Sequence, residues 1–214
     1  MSGHHQRRAA AFKDTGLSFV SAVSGAGTSI TLGAHEAGDL IIVFAFRDGS
    51  NTSPSLPTGF TNDYNAGGNS SSFRVGWKIA ASSSEGSGTW TNASGLVAAV
   101  YRGAHATAPI LSRSRTSFGS TGSGSVYYTP GFSFTETDEA GWGLAMVGLR
   151  STGQGEDIPP SAMVNRTAHD GGFGCLGWHD TDGPVADFPG EIVVGGRTGT
   201  TTYHTVGLEL RPAA

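Results

Sequence analysis

The sequence predicts an all-β protein, specifically an antiparallel β-sandwich with the strand arrangement of a jelly roll. Apolar residues occur in short runs, and the chain contains 34 glycines, which lie with Ser, Thr and Asn between those runs. No segment combines a 3.6-residue apolar repeat with the capping residues of a helix. Short strands separated by turn residues are typical of sandwiches and barrels, and this pattern gives the predicted fold class.

The composition limits the possible functions. The chain has 214 residues, and we assign residues 15–214 to one sizeable domain. Only 14% of the residues are charged and the formal net charge is -4, which argues against a general nucleic-acid binder. Cys175 is the only cysteine, so neither a disulfide framework nor a cysteine-based metal site is expected. No signal-peptide pattern and no run of about 18 apolar residues is seen, so we expect synthesis in a cytoplasm and no membrane insertion.

Residues 1–14 form a separate basic segment that contains Arg7, Arg8 and Lys13 and has little to bury. Termini of this kind are often frayed. A basic arm can also dock on an acidic surface of a larger assembly. Both interpretations stay open, and the second makes Arg7, Arg8 and Lys13 the candidate docking residues.

The segment around which the chain is organised is 40–46, a run of seven apolar residues between a Gly-Asp turn and an Asp-Gly turn. The run is too short for an isolated helix, and it is rich in β-branched and aromatic residues. It therefore predicts a central strand that is buried on both faces.

The other elements of the first half follow from alternation and turn residues. Residues 73–80 place Phe73, Val75, Trp77 and Ile79 on one face, which predicts a strand with one buried and one wet face. The remaining predicted elements are strands at 18–23 and 28–32 joined by a hairpin at 24–27, loops at 49–59 and 62–72, a short strand at 89–91 and an apolar strand at 96–101.

The second half shows the same pattern of short apolar runs separated by turn residues. Residues 142–149 predict another strand buried on both faces, and residues 110–118 a polar edge strand, because edge positions tolerate charge. His204 falls on the apolar face of the last strand, where we expect a hydrogen-bonded core or interface histidine. The remaining predicted elements are strands at 125–128, 131–134, 162–167, 172–178, 191–194 and 202–210, an acidic turn at 135–140 and a polar loop at 151–160.

Four phrases of the first half occur in a recognisable order: Ala37-Gly38-Asp39-Leu40, Pro57-Thr58-Gly59-Phe60-Thr61, Arg74-Val75-Gly76-Trp77-Lys78-Ile79-Ala80 and Ala98-Ala99-Val100-Tyr101-Arg102-Gly103. Together they resemble a β-sandwich module of virion proteins in tailed bacteriophages and related gene-transfer particles, found in capsid decoration, head-spike and tail-associated proteins. The resemblance covers residues 15–110.

This resemblance implies a non-enzymatic structural protein on a virion surface, made in the cytoplasm of a bacterial host. It implies self-association into a homo-oligomer, most commonly a trimer. It further implies docking on the major capsid or tail proteins of the particle, without fixing head against tail.

The densest cluster of metal-ligand residue types is His169-Asp170 with His179-Asp180 and Asp182. The spacing matches no metal signature, so solvated loop residues and a divalent-cation site both stay open, and no cofactor is predicted. No acid–base pair on strand ends, Ser-centred elbow or phosphate loop followed by a helix is recognised. We therefore predict that the protein is not an enzyme.

Trp178, followed by His179 and Asp180 in a Gly-rich segment, is the best candidate for an exposed aromatic platform. Sugar sites commonly stack an aromatic ring on a sugar face and hydrogen-bond the hydroxyls with polar side chains. The alternative function is therefore a carbohydrate-binding adhesin or receptor-binding module, on head or tail, that contacts a host-surface glycan through these three residues. The competing interpretation places the tryptophans in the core.

Overall fold

The computed structural model describes residues 16–117, 134–135, 141–150, 159, 162–185 and 202–213. They form two antiparallel five-stranded sheets packed face to face, and no helix occurs within these ranges. The predicted β-sandwich is therefore confirmed.

Each sheet is built from consecutive strands of the chain. The first sheet has the order β1-β5-β2-β4-β3 and the second the order β6-β10-β7-β9-β8. The strands of the first sheet are β1 (Ser18–Ala26), β2 (Leu40–Asp48), β3 (Thr61–Gly68), β4 (Ser71–Ile79) and β5 (Gly95–Arg102). Those of the second are β6 (Ile110–Ser117), β7 (Trp142–Leu149), β8 (Val164–Gly171), β9 (Gly174–Asp180) and β10 (Tyr203–Leu210).

The two sheets have the same topology, because adding five to each strand number of the first order gives the second. The irregularities match as well: β3 has a bulge between Asn62 and Tyr64, and β8 has one between Asn165 and Thr167. The pairs β1–β5 and β6–β10 also both shift register near the start of β1 and of β6. The fold is therefore a tandem structural repeat, and the chain completes one sheet before it enters the other. This order differs from the expected jelly roll, in which the chain passes back and forth between the sheets.

The two strands predicted to be buried on both faces are confirmed. Residues 40–46 lie within β2 and are all 0% exposed, and β2 is the middle strand of its sheet. Residues 142–149 coincide with β7, the middle strand of the second sheet, and all are buried. The polar edge strand predicted at 110–118 is confirmed for Ile110–Ser117, which form β6, and residue 118 lies outside the described residues.

Several local predictions in the first half were wrong. The hairpin at 24–27 does not form, because Ser24, Gly25 and Ala26 continue β1 and pair with β5. Residues 28–32 form no strand and instead cover the outer face of the first sheet, where Ile30 and Leu32 are partly buried. The expected loop at 62–72 is mostly strand, since an edge strand such as β3 can expose polar residues.

Residues 89–91 are not a strand either. Trp90 is fully buried against the outer face of the first sheet, and its indole N–H donates to the carbonyl oxygen of Ser87 at 2.8 Å. The predicted elements at 125–128, 191–194, most of 131–134 and 135–140, and most of 151–160 lie outside the described residues, as does the N-terminal segment 1–14.

The main core lies between the inner faces of the sheets. The rings of Phe44 and Phe73 stack with centroids 5.4 Å apart, and Phe46 is buried beside them. Gly148, in the middle strand of the other sheet, makes room for these rings. A Cβ on Gly148 would lie 2.7 Å from Cδ2 of Phe46 and 2.9 Å from Cε1 of Phe44, so these rings can pack against β7 only because this position has no side chain.

Asp39, which directly precedes β2, is paired with Arg102, and we call this pair the latch. Arg102, at the end of β5, donates from Nε to Oδ1 of Asp39 at 2.8 Å and from Nη2 to Oδ2 at 2.9 Å. The backbone N–H of Glu36 donates to Oδ2 of Asp39 at 2.8 Å, so this carboxylate caps the turn into the central strand. Burial raises the pKa of Asp39, but the hydrogen bonds from Arg102 and from the Glu36 amide outweigh it and hold the pKa below its usual value.

We predict that Gly148→Ala lowers the free energy of unfolding by about 1–3 kcal/mol, because the new methyl group must displace buried aromatic rings. Gly68→Ala is the matched control, since a Cβ at Gly68 meets nothing within 4 Å. Denaturant unfolding of both variants checks this prediction, and equal stabilities for the two would contradict it.

We also predict that Asp39→Asn lowers the free energy of unfolding by about 1–3 kcal/mol, because a charged acceptor in the latch becomes a neutral amide. Asp182→Asn is the control. Asp182 also pairs with an arginine, Arg166, but its side chain is 61% exposed, against 2% for Asp39. The control should change stability by no more than about 0.5 kcal/mol in the same urea titration.

Candidate functional site

The repeat creates two seams where an edge of one sheet meets an edge of the other. β1 faces β8 at one seam, and β3 faces β6 at the other. In the repeat β1 corresponds to β6 and β3 to β8, so the two seams are equivalent positions of the fold. Differences between them are therefore differences in side chains on a common backbone plan.

The seam between β1 and β8 is closed by small side chains, and we call it the closed seam. The hydroxyl groups of Ser24 and Thr167 lie 2.8 Å apart, and Oγ of Ser24 donates to the carbonyl oxygen of Ala168 at 2.9 Å. These short side chains let the two edges approach until they bond directly.

A buried polar network lies next to the closed seam. Asp180 accepts hydrogen bonds from Tyr101 at 2.9 Å, from Nε of Arg166 at 2.8 Å and from the backbone N–H of Asp182 at 2.9 Å. Trp178 donates from Nε1 to the Tyr101 hydroxyl at 3.0 Å. Burial, reinforced by the nearby Asp180 carboxylate, raises the pKa of Tyr101 well above its usual value. The network is satisfied by its own members and joins the two sheets.

The seam between β3 and β6 is built differently, and we call it the open seam. The guanidinium carbon of Arg115 lies 4.5 Å from the centre of the Tyr64 ring, and Nη2 of Arg113 lies 2.9 Å from Oδ1 of Asp63. A cavity of about 110 Å³ remains between the strands, lined by Tyr64, Arg113, Ser114, Arg115 and Val206.

Strand register shows that these residues are the counterparts of the closed seam. Arg115 pairs with Val206 of β10, as Ser24 pairs with Val97 of β5. Tyr64 follows the bulge of β3 as Thr167 follows the bulge of β8. A Ser–Thr contact at one seam thus corresponds to an Arg–Tyr contact at the other.

The bulge residue is charged in both repeats. Asp63 is the extra residue of β3 and Arg166 that of β8, and each forms an ion pair in the structure. A β-bulge redirects the side chain of its extra residue, here towards a neighbouring strand. The equivalent positions therefore carry opposite charges.

The electrostatics of the open seam are unbalanced. The Asp63 side chain is only 3% exposed, and its Oδ2 atom has no hydrogen-bond partner among the residues that the structure describes. Burial raises the pKa of Asp63, although the charge and hydrogen bond of Arg113 oppose this effect. Arg115 has no carboxylate within ion-pair distance among the described residues. Of the two guanidinium groups at the open seam, only that of Arg113 is paired with a carboxylate in the described part of the chain, which makes the open seam the candidate functional site.

The residues proposed for glycan contact are not exposed. Trp178, His179 and Asp180 are each 0% exposed, so the prediction of an exposed aromatic platform was wrong. They belong to β9, not to a loop: alternation turns Trp178 into the core between the sheets, and Asp180 is held in the buried network. The proposed docking residues Arg7, Arg8 and Lys13 lie outside the described residues.

The histidine–aspartate cluster does not converge on one point. His169 stacks on Phe173 with ring centroids 5.6 Å apart, Asp170 accepts a hydrogen bond from Cys175 at 3.2 Å, and Asp182 pairs with Arg166. No three His, Cys, Asp or Glu side chains in the described ranges are grouped so that they could hold a metal ion. His179 and Asp180 are also not solvated, contrary to the interpretation as loop residues.

The prediction for His204 is confirmed. Its side chain is buried, and its Nε2 atom lies 2.9 Å from the hydroxyl of Ser71, so the contact links β10 to β4 across the sandwich. The rings of Phe73 and Phe46 pack against the imidazole, with centroids 5.0 and 6.3 Å away. Burial lowers the pKa of His204 to about 4.

Sequence reasoning missed the open seam itself. Asp63 and Tyr64 were assigned to a polar loop, and the arginines of β6 were noted only as charges on an edge strand. The available signal was the alternation of Arg113 and Arg115 in a β-type segment, which puts both charges on one face. The bulge that turns Asp63 towards Arg113 left no recognisable mark in the sequence.

Comparisons with known proteins add no information about this site. No family model, curated protein or solved structure matches the chain. Within the described residues there is also no helix of the length and apolarity needed to cross a membrane. The site is therefore interpreted from its own geometry.

We predict that the protein loses stability as the pH falls from 6.5 towards 4, because the folded state holds two histidines neutral. Burial lowers the pKa values of His179 and His204 to about 4, below the usual 6.5. Between these values the unfolded chain binds the extra protons, so each histidine costs roughly 3 kcal/mol of stability at the acid end. The raised pKa of Asp63 acts with the opposite sign.

The measurement is the free energy of unfolding as a function of pH for the wild type and His204→Gln. Glutamine can still bond to Ser71 but does not titrate, so the variant should have a shallower acid slope. Identical slopes for the two proteins would contradict the assignment to His204.

Proposed function

We propose that this protein is a non-enzymatic structural component on the surface of a tailed-phage-like particle, where it self-associates and docks on the shell. The observation that carries the proposal is that buried carboxylates are paired with arginines. Asp39 and Asp180 are almost completely buried, and each is paired with an arginine of another strand, Arg102 or Arg166. Charge used in this way holds strands together, whereas catalytic carboxylates are typically arranged around a cleft.

The residues that carry the resemblance to virion surface proteins support the same proposal. The phrase that contains Asp39 meets the phrase that ends at Arg102-Gly103 in the latch at the entry to β2. Gly103 has a φ of 79°, which favours glycine. A Cβ on Gly76, in a third phrase, would lie 2.8 Å from Cη2 of Trp90. These residues serve the shape of the module, as expected of a protein that acts through its surfaces.

Docking is assigned to the basic arm and to the polar edge strand. β6 is an edge of the second sheet, and the Arg113 side chain on it is 47% exposed. The arm adds the positive charges of Arg7, Arg8 and Lys13, which suit an acidic shell surface. The carbohydrate-binding alternative has no support in the structure, because the Trp178 ring on which it rested is buried.

We predict that the purified full-length chain is a homo-oligomer, with a trimer as the first expectation, and that it co-sediments with tailed particles from its bacterium. Sedimentation velocity gives the mass in solution, and gradient-purified particles are probed for the protein. A variant with Arg7, Arg8 and Lys13 replaced by Gln should keep its oligomeric state but stay in the supernatant. A protein that is monomeric at all concentrations and absent from particles would contradict the proposal.

A further inference from the structure

The open seam shows a departure from the plan that the same chain uses elsewhere. At the closed seam, Ser24 and Thr167 bring the two sheet edges into direct hydrogen bonding. At the equivalent positions of the open seam, Arg115 and Tyr64 hold the edges apart, and a cavity of about 110 Å³ remains. The fold therefore does not require this cavity, since the chain closes the same junction with small side chains.

The cavity has the charge and the donors of an anion site. Arg113 and Arg115 are two residues apart on one face of β6, so both guanidinium groups border the same space. Asp63 compensates one of the two charges, through Arg113. Arg115 is exposed and stacks on Tyr64, and its N–H groups have no acceptor within the described part of the chain. The positive charge of Arg115 is therefore uncompensated within the described residues, and its planar N–H donors are available to a ligand.

From this geometry we infer that the open seam is a binding site for a small ligand that carries a carboxylate group. A guanidinium group offers parallel N–H donors that match the two oxygens of a carboxylate. A single uncompensated charge suits a monoanion better than a phosphate dianion. The volume corresponds to roughly four waters, which accommodates a carboxylate and a few attached atoms.

The structure assigns roles to four of the lining residues and to Asp63 behind them. Arg115 holds the carboxylate, with Tyr64 fixing the plane of its guanidinium group. Arg113 provides a second positive charge at the same cavity, and Val206 provides an apolar floor. Asp63 positions Arg113 and competes with the ligand for its charge. A single chain carries all of these groups, so the site does not depend on the proposed role on a particle.

The test is isothermal titration of the full-length protein at low ionic strength with acetate, glucuronate, glucose and phosphate. Acetate is the carboxylate alone, glucuronate places it on a sugar ring, and glucose is the ring without it. We expect saturable binding of both carboxylates and none of glucose. Tighter binding of glucuronate than of acetate identifies a sugar acid as the source, and equal binding identifies the carboxylate alone. Binding of glucose as tight as that of glucuronate, or a preference for phosphate, overturns the proposal.

Three variants separate a binding site from a structural cluster. Arg115→Gln should weaken carboxylate binding by at least about tenfold, because the uncompensated charge and the planar donors are lost. Asp63→Asn should strengthen it, because the internal carboxylate no longer competes for Arg113. Arg47→Gln is the control, since the one hydrogen bond of its side chain within the described ranges goes to the carbonyl oxygen of Thr52, and Arg47 does not line the cavity. A purely structural cluster would not give effects of opposite sign, so unchanged affinity in Arg115→Gln, or weaker binding in Asp63→Asn, overturns the assignment.

Discussion

The whole structure depends on keeping two apolar strands, β2 and β7, away from water on both faces. Each is the middle strand of its sheet, so its backbone N–H and C=O groups are paired on both sides by neighbouring strands. Such a strand is stable only if side chains also cover it from above and below. The inner faces cover each other, and the rings of Phe44 and Phe46 pack against β7 at Gly148, which has no side chain.

The outer face of the first sheet shows how β2 is covered on the side that faces away from the second sheet. Ile41, Val43 and Ala45 point away from the sandwich and are nevertheless fully buried. They are covered by segments without regular structure, which deliver Trp90, Phe60 and partly buried Leu56 to the sheet. This cover explains why β2 is apolar at every position from 40 to 46, where a sheet with one wet face would alternate. The Asp39–Arg102 latch fixes the point at which the covered strand begins.

The sequence was a good guide where burial alone decides the outcome. Two-sided burial marks β2 and β7 directly, and the alternation of Phe73, Val75, Trp77 and Ile79 marks the inner face of β4. It failed where polar residues form strands, as in β3, because edge positions are compatible with both loop and strand composition. It also failed for Trp178, which was expected to be exposed at the end of the strand predicted at 172–178, whereas its side chain turns into the core. The candidate site combines both difficulties, because it depends on an edge strand and on a bulge at Asp63.

The repeat gives a physical reason for placing function at the edges. The central strands of both halves are bound by the same packing requirement, so they have little freedom to differ in chemistry. The seams lie at the margin of the core, where a charged side chain can replace a packed one with little loss of folding stability. Equivalent positions of the two seams carry different pairs of residues. Ser24 and Thr167 hydrogen-bond the two sheet edges together, whereas Arg115 and Tyr64 leave a cavity with positive charge between them. The buried Asp63 fits this view. Within the described ranges one of its carboxylate oxygens has no partner, and such a costly group calls for a role, which here is to position Arg113 at the open seam.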